Sequence, residues 1–322
     1  MCGAAIVAGA CGRRSTIPYS LGDRDYWQLI ESLSEPPGSF ALSDNIVSNE
    51  PRYAEAIKWL SPRGGVYIGV GPEQNFSYIA ALDPEAAFIV DIRRENLDLH
   101  LLYKALFELS ADRADFVSRL FSRPRPPGLD ADTGVDALFE AFDRIAPAAS
   151  EYDRNLALVR ERLLSTRGLP LPQADLDRIE LILRVFFTAG PQVDYYGSNS
   201  VEAVRPSYRQ LMTARDFTGT SQSFLASEHR FQLVKALHTR NLIVPVVGDF
   251  GGPRAFRAIG DYVRQHLARV QAVYASNVAV YLSAQQGVAF CHNLASLPAP
   301  PGSWFLEMNR MRTMGDKLRA CR

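Results

Sequence analysis

The chain lacks several features that define specialised classes of protein. Lys and Arg together number 35 and Asp and Glu also number 35, so the formal net charge is zero. Without an excess of basic residues, broad binding to nucleic acid or to an anionic membrane surface is not expected. No uncharged apolar run reaches about 18 residues, so the sequence predicts no transmembrane segment. With 47% hydrophobic residues in a chain of 322, the composition indicates a folded globular protein.

Motifs for metal binding, redox chemistry and nucleophilic catalysis are also missing. The four cysteines, Cys2, Cys11, Cys291 and Cys321, form no C-x-x-C pair, which disfavours zinc and thioredoxin-like sites. Two cysteines stand near each end of the chain and could form disulfides, although their spacing does not require it. The five histidines form neither H-x-H nor H-E-x-x-H, so no metal site is expected. Neither a G-x-S-x-G elbow nor a phosphate-binding P-loop occurs.

The N-terminus contains a short segment that resembles a bacterial lipoprotein signal. Residues 2–10 are small and apolar, and Ala8-Gly9-Ala10-Cys11 resembles the lipobox, in which the cysteine becomes the lipidated first residue. No basic region precedes the apolar run, although Met1 could stand inside a longer signal. Two interpretations stay open, a lipid anchor at Cys11 and a tail without structural role. Residues 1–20 are set apart from the fold prediction in both.

Short apolar runs alternate with segments of helical periodicity. The runs predict buried strands at residues 65–70, 86–91, 242–247, 270–275 and 304–308. The periodicity predicts helices at about 22–34, 74–82, 94–109, 223–238 and 254–267. This alternation of strand and helix indicates a parallel sheet.

The region between the second and third predicted strands, about residues 96–239, is almost entirely helical in pattern. We therefore expect a single α/β domain over residues 21–322. A Rossmann-like, mainly parallel sheet flanked by helices would come from residues 64–95 and 240–310, with a large helical insertion between its second and third strands.

A glycine turn and an acidic residue stand at the ends of the first two predicted strands. Gly69-Val70-Gly71 lies where a strand gives way to a helix, so its backbone can approach a ligand near the free N–H groups of the helix. Asp91 ends the next strand, 22 residues after Gly69, a position from which an acid can bind the ribose hydroxyls of a nucleotide-like cofactor. The two features predict one site at the carboxyl edge of the sheet.

These residues carry a resemblance to a known enzyme family. Val66 to Gly71, followed by Phe88-Ile89-Val90-Asp91, resembles the first two motifs of class I S-adenosylmethionine-dependent methyltransferases. The resemblance implies S-adenosylmethionine as cofactor, with the glycine loop against its methionine part and the acid on its ribose. The pattern departs from the family at Tyr67, where an acid is usual, and at Glu73, where a third glycine would fall. The dinucleotide pattern G-x-G-x-x-G fails as well, because Gln74 occupies its last position.

Longer stretches of the chain resemble an uncharacterised bacterial protein family, to which no established activity is attached. The stretches are Ser43 to Glu50, Gly69 to Asn75, Val90 to Arg94, Val244 to Gly252 and Ser276 to Val278.

The candidate cofactor-binding residues lie in the two strand-end segments. They are Gly69, Val70, Gly71, Glu73, Gln74, Asn75, Asp91, Ile92 and Arg93. Structural interpretations of the same residues stay open. The glycines could serve a tight turn, Glu73 to Asn75 and Asp91 could cap helices, and Arg93 could form an ion pair.

Candidates for catalysis and substrate binding come from other predicted strand ends and from polar loops. Asp249 follows the third strand, and Asn277 follows the fourth, where the methyltransferase resemblance implies a polar residue that contacts the acceptor. Together with Glu73 they are the catalytic candidates. The substrate-binding candidates are Asn45, Asn49, Tyr196 and Asn199. Helix capping and loop roles are the alternatives for each of them.

The sequence therefore leaves two alternative functions open. The first is a cytoplasmic, S-adenosylmethionine-binding, methyltransferase-like transferase acting on a small-molecule acceptor. The second is an exported, non-enzymatic protein with a degenerate Rossmann-like fold, anchored to the membrane as a lipoprotein through Cys11. The two conflict, because S-adenosylmethionine is a cytoplasmic cofactor. No nucleic-acid partner is expected in either case.

Overall fold

A six-stranded, mostly parallel sheet flanked by helices forms the centre of the protein. The computed structural model describes residues 14–40, 45–62, 64–195, 206–308 and 310–321. Within them the sheet has the order β3-β2-β1-β4-β5-β6, in which the first five strands are parallel and β6 is antiparallel to β5. The strands are β1 (Val66–Gly69), β2 (Ala86–Asp91), β3 (Ile243–Val247), β4 (Val270–Ser276), β5 (Trp304–Glu307) and β6 (Arg310–Thr313).

Helices cover the sheet on both faces and fill the long connection between β2 and β3. The helices are α1 (Asp23–Leu33), α2 (Tyr53–Ile57), α3 (Gln74–Leu82), α4 (Arg94–Leu109), α5 (Arg113–Phe121), α6 (Val135–Asp143), α7 (Ala149–Arg160), α8 (Gln173–Ala189), α9 (Tyr208–Met212), α10 (Glu228–Thr239), α11 (Ala255–Gln265), α12 (Ala284–Ser296) and α13 (Met314–Ala320). A π-helical turn, Glu161–Thr166, continues α7, and 3-10 turns occupy Gly190–Gln192 and Val278–Val280.

The predicted strands are confirmed where the sequence pattern is apolar throughout. Every residue of β1, β2 and β3 is buried, as expected for parallel strands with both faces covered, and such strands have continuous apolar runs. The strand β6 was not predicted, because Arg310–Thr313 is polar and partly exposed at the sheet edge. The helix expected from residue 223 begins at Glu228, where the Ser227 hydroxyl accepts the Arg230 N–H and caps it.

The other edge strand, β3, is covered by the N-terminal part of the chain. The Tyr26 hydroxyl of α1 donates to the Ile243 carbonyl at 3.2 Å, and the Glu35 N–H donates to the Val247 carbonyl at 2.8 Å. Upstream of α1, the Thr16 N–H donates to the carbonyl of His266 at 2.7 Å. The segment from Thr16 to Glu35 is therefore held against the body of the protein, whereas the lipobox-like segment ending at Cys11 lies outside the described residues.

A disulfide joins Cys291 of α12 to Cys321, which follows α13. It closes a loop that contains β5 and β6, so it ties the antiparallel edge of the sheet to the helix beneath it. The other two cysteines lie outside the described residues. In the part of the chain that the structure describes, no helix is long and apolar enough to cross a membrane.

Candidate functional site

The carboxyl ends of four neighbouring strands surround one cavity of about 260 Å³. Its lining includes Val70 to Pro72 after β1, Asp91 to Arg93 at the end of β2, and Gly248 to Phe250 after β3. Tyr274 and Ser276 to Val278 contribute from the end of β4. The chain leaves β1 toward β2 on one side and returns with β4 on the other, and ligands of open α/β sheets bind at such a switch point.

Two further segments complete the wall of the cavity. The segment from Asn45 to Glu50, which we name the N-terminal wall, closes one side, and Tyr281, Leu282 and Gln286 close another. Phe40 packs edge to face against Tyr281, with ring centroids 4.8 Å apart. The cavity therefore combines polar strand ends with an aromatic pair, a composition common in small-molecule sites.

Gly71 presents bare backbone to the cavity. Its φ of +76° lies in the left-handed region, and a Cβ at this position would have no atom within 4 Å. Its carbonyl accepts hydrogen bonds from His100 Nε2 at 2.9 Å and from Asn75 Nδ2 at 3.0 Å. Burial lowers the pKa of His100 to about 4, so the imidazole is neutral and Nε2 carries the donated proton. Glycine is thus favoured by conformation here, and the space beside it is open.

Gly69 is required for packing inside the protein. A Cβ on Gly69 would overlap the amide oxygen of Asn75 and crowd the Tyr67 ring. Asn75 needs this space because its Nδ2 donates to the carbonyls of Val70, Gly71 and Pro72, at 2.9, 3.0 and 2.7 Å. The Tyr67 hydroxyl in turn donates to Asn75 Oδ1 at 2.8 Å. Tyr67 and Asn75 therefore hold the shape of the turn after β1.

Asp91 faces the cavity as half of a buried ion pair with Arg93. Oδ1 accepts the Arg93 N–H and Nε, and Oδ2 accepts Nη2, all at 3.0 Å. The side chains of Asp91 and Arg93 are 8% and 6% exposed. Since each carboxylate oxygen has about two lone pairs, this arrangement leaves one acceptor position on Oδ2.

Glu73 lies behind the cavity and does not line it. Both of its carboxylate oxygens accept the Ser48 N–H, at 3.2 and 3.1 Å, which fastens the N-terminal wall to the turn after β1. Burial raises the pKa of Glu73 to about 7, against the opposing effect of these hydrogen bonds. The geometry places Glu73 as a support of the wall.

Glu50 is a buried carboxylate that does line the cavity. It is 3% exposed, and its Oε1 accepts the hydroxyls of Ser276 and Tyr274, the latter at 2.8 Å. Its Oε2 accepts Gln74 Nε2 at 3.3 Å. Glu50 forms no ion pair with any residue that the structure describes, and burial raises its pKa.

The partners of Glu50 are held in place by the end of β4 and the start of α3. Ser276 has a φ of +47°, which is uncommon for a residue with a side chain and occurs where surrounding contacts fix the backbone. Gln74 Nε2 also donates to the hydroxyls of Tyr78 and Tyr274, at 3.3 and 3.1 Å. Gln74 Oε1 is buried without a partner among the described residues.

Asp249 and Asn277 line the cavity from β3 and β4 and also organise their own loops. Asp249 Oδ1 accepts the Gly251 N–H at 2.8 Å, and Oδ2 accepts Gln286 Nε2 at 3.2 Å. Asn277 Nδ2 donates to the Tyr281 hydroxyl at 3.2 Å. Each side chain is therefore held at the cavity surface by a contact with another lining residue, Gln286 for Asp249 and Tyr281 for Asn277.

The structure brings most of the sequence-predicted site residues together. Those that line the cavity are Val70, Gly71, Asp91, Ile92, Arg93, Asp249, Asn277, Asn45 and Asn49. Those that support it from behind are Gly69, Glu73, Gln74 and Asn75. Tyr196 and Asn199 lie outside the described residues.

The sequence pattern places Glu50 in a polar cluster but does not predict its contact with Tyr274 and Ser276. Glu50 stands at the end of a dense polar segment next to Asn49, and Ser276 stands directly before Asn277. The position of Glu50 and Ser276 next to predicted site residues was the available sequence signal for this group. The contact between the two segments depends on the fold.

Most of the chain matches one protein family, described as a domain of unknown function (DUF7790), over residues 45–125 and 177–315. Because this match spans more than half of the chain, the protein belongs to that family. No curated protein matches the chain. The matched segments contain all four strand ends at the cavity and the N-terminal wall.

Proposed function

We propose that this member of the DUF7790 family binds S-adenosylmethionine in the cavity and acts as a methyltransferase-like protein on a small-molecule acceptor. The observation that carries the proposal is the position of Gly71 and Asp91. They stand at the ends of adjacent parallel strands and line the same cavity. Bare backbone after the first strand and an acid after the second are the two elements that bind a nucleoside cofactor in folds of this kind.

The residues at these two positions fit such a cofactor. The backbone of Gly71 can contact the methionine part closely, because no side chain intervenes. The remaining acceptor position on Asp91 Oδ2 can take one ribose hydroxyl, while Arg93 keeps the carboxylate in place. When bound, S-adenosylmethionine would supply an electrophilic methyl group, and the protein would contribute orientation of the acceptor.

The charges around the cavity favour a cationic ligand. Arg93 compensates Asp91, whereas Glu50 and Asp249 have no ion-pair partner within the described ranges. S-adenosylmethionine carries a sulfonium and an ammonium group against a single carboxylate. A dinucleotide would bring two negative phosphates into the same acidic surroundings, which costs free energy.

We further propose that the sheet is Rossmann-like and carries the helical insertion expected at about residues 96–239. The order β3-β2-β1-β4-β5 of the parallel strands supports the first part. Helix α4 packs on β2 and β3 as a crossover helix would. Helices α5 and α7 pack on α4 and α8, and this second layer supports the assignment of an insertion within one domain.

Calorimetric titration of the purified full-length protein tests the cofactor. We expect S-adenosylmethionine and S-adenosylhomocysteine to bind with dissociation constants on the order of micromolar, and NAD not to bind. Asp91→Asn should weaken both sulfur ligands by about 1.5–3 kcal/mol, because a charged acceptor is lost. Asp153→Asn, at an exposed position on α7, is the matched control. Absence of binding by both sulfur compounds would reject the proposal.

A second function has specific support. Disulfides persist in oxidising compartments, and Cys291 and Cys321 form one. Arg93 also occupies most of the acceptor positions on Asp91. The disulfide favours an exported protein, and the occupied carboxylate favours a cofactor site that has degenerated. The anchor at Cys11 is supported by the lipobox-like sequence alone. Mass spectrometry of the native membrane fraction decides between the two. Lipid on Cys11 together with an oxidised Cys291–Cys321 pair selects the exported protein, and unmodified Cys11 with two free thiols selects the cytoplasmic transferase.

A further inference from the structure

We propose that Glu50 binds the protonated nitrogen of an organic amine, so that the part of the ligand beside β4 is an ammonium group. The inference rests on the proposed function in one respect, since it states that the acceptor bound at that site carries an ammonium group by which it is recognised. The geometry at Glu50 itself does not depend on the cofactor.

One acceptor position of Glu50 remains available to a ligand. Oε1 accepts two hydroxyls, from Tyr274 and Ser276, and Oε2 accepts only Gln74 Nε2. By the count of lone pairs, Oε2 can accept one more hydrogen bond. Glu50 lines the cavity, so a donor on a ligand can reach the carboxylate.

The surroundings of Glu50 make a cation the best donor. The ionisable groups that face it are Tyr274 from β4, Tyr67 from β1 and Tyr78 from α3. Burial raises the pKa of each tyrosine well above its usual value, so all three are neutral. No lysine, arginine or histidine pairs with Glu50 in the described ranges. A buried carboxylate without a counter-ion is costly, and a bound ammonium would remove that cost.

Other cavity residues can satisfy the remaining N–H groups of an ammonium. Asn49 and Asn277 line the same cavity and carry amide oxygens. The aromatic pair of Phe40 and Tyr281 offers an apolar surface for the carbon skeleton of the ligand. A primary amine with a short aromatic or alkyl body therefore matches this part of the cavity.

The test compares two small probes that differ in one group, 2-phenylethylamine and 2-phenylethanol. Dissociation constants of both are measured by ligand-observed NMR with the full-length protein. We expect the wild type to bind the amine about tenfold more tightly than the alcohol, since a hydrogen bond between charged groups is stronger than one to a neutral donor. In Glu50→Gln the two constants should become equal through weaker binding of the amine. Glu55→Gln, at an exposed acid of α2, should keep the wild-type ratio.

Two results would overturn the inference. One is a wild type that shows no preference for the amine, including one that binds neither probe at up to about 10 mM. The other is a folded Glu50→Gln protein that keeps the preference. If Glu50→Gln does not fold, the wild type is titrated from about pH 8 to about pH 4 instead, because burial raises the pKa of Glu50 above its ordinary 4.5. Protonation of Glu50 should then abolish the preference, and a ratio that does not change with pH would also reject the inference.

Titration of the same variants with S-adenosylhomocysteine separates this inference from the proposed function. A Glu50-dependent amine preference without S-adenosylhomocysteine binding supports the ammonium site and rejects the cofactor. Binding of S-adenosylhomocysteine with no amine preference supports the cofactor and rejects the ammonium site.

Discussion

Asp91 and Glu50 line the same cavity and differ in the charge of their partners. Each carboxylate accepts three hydrogen bonds and keeps one acceptor position. The donors to Asp91 belong to Arg93, whereas the donors to Glu50 are two hydroxyls and an amide. Arg93 therefore compensates the buried charge of Asp91 at the end of β2, whereas no described cation compensates the buried charge of Glu50 beside β4.

The comparison separates a charge that the fold needs from one that a ligand could use. The Asp91–Arg93 pair is complete without a ligand, so removal of either partner leaves a buried charge. Burial of the Glu50 carboxylate costs free energy and raises its pKa. This free-energy cost is removed only when a cation binds or the carboxyl is protonated.

Arg93→Ala is expected to have the largest effect on stability, because it removes the counter-ion of Asp91. The buried Asp91 carboxylate would lose its counter-ion, at a cost of about 3–5 kcal/mol in the free energy of unfolding. Urea denaturation followed by circular dichroism measures this loss in the free energy of unfolding. Arg52→Ala, which removes an exposed pair with Glu55, should cost less than about 1 kcal/mol. Equal losses in the two variants would show that the Asp91 pair contributes no more than a surface pair.

Glu73→Gln tests a third acid, also buried without a cation. In the folded protein its pKa is about 7, above the ordinary 4.5, so its stabilising contribution is complete below about pH 4.5 and is lost as pH rises to about 7. The wild type should lose about 3 kcal/mol of stability from this group between those values. Glu73→Gln should lack that decrease, and Glu55→Gln should retain it. Urea denaturation at a series of pH values distinguishes the two, and parallel curves for wild type and Glu73→Gln would contradict the assignment.

A pair of glycine variants separates support of the turn from contact with a ligand. Gly69→Ala should destabilise the protein by about 1–3 kcal/mol, because its Cβ would displace the Asn75 amide. Gly71→Ala should cost only about 1 kcal/mol, the cost of its left-handed φ, since its surroundings are open. Thermal melting ranks the two, and calorimetry should show the larger loss of cofactor affinity in Gly71→Ala. The reverse order in either measurement would contradict this account of the turn.

Glu50→Gln should have the smallest effect on stability, a change within about 1 kcal/mol. The glutamine oxygen can accept the hydroxyls of Tyr274 and Ser276, and its amide can donate to Gln74 Oε1 if the Gln74 amide rotates. Because no described cation pairs with Glu50, the substitution leaves no cation without its partner. Urea denaturation of Glu50→Gln and Asp91→Asn compares their free energies of unfolding. A loss of stability in Glu50→Gln as large as that in Asp91→Asn would show that the two carboxylates do not differ in this way.

Much of the sheet could be predicted because parallel strands buried on both faces have continuous apolar sequences. The carboxyl ends of such strands meet at one edge, so Gly71, Asp91 and Asp249 could be placed at one edge from the strand pattern, whereas Asn277 came from the methyltransferase resemblance.

The direction of individual side chains could not be predicted in the same way. The position of Glu73 in the turn after β1 places it near the cavity, but whether its carboxylate points inward depends on the Ser48 N–H from another segment. The role of Glu50 depends on partners in β4, and no local pattern records that contact. Tertiary contacts determine both.

The hydrogen bond from Tyr274 to Glu50 joins residues 224 positions apart in the chain. During synthesis the N-terminal wall leaves the ribosome long before β4, so Glu50 lacks its partners Tyr274 and Ser276 until β4 docks beside β1. A nascent chain that ends before β4 therefore lacks one wall of the cavity. The cavity accordingly requires the chain from the N-terminal wall through Gln286, so it can form only in the later part of synthesis.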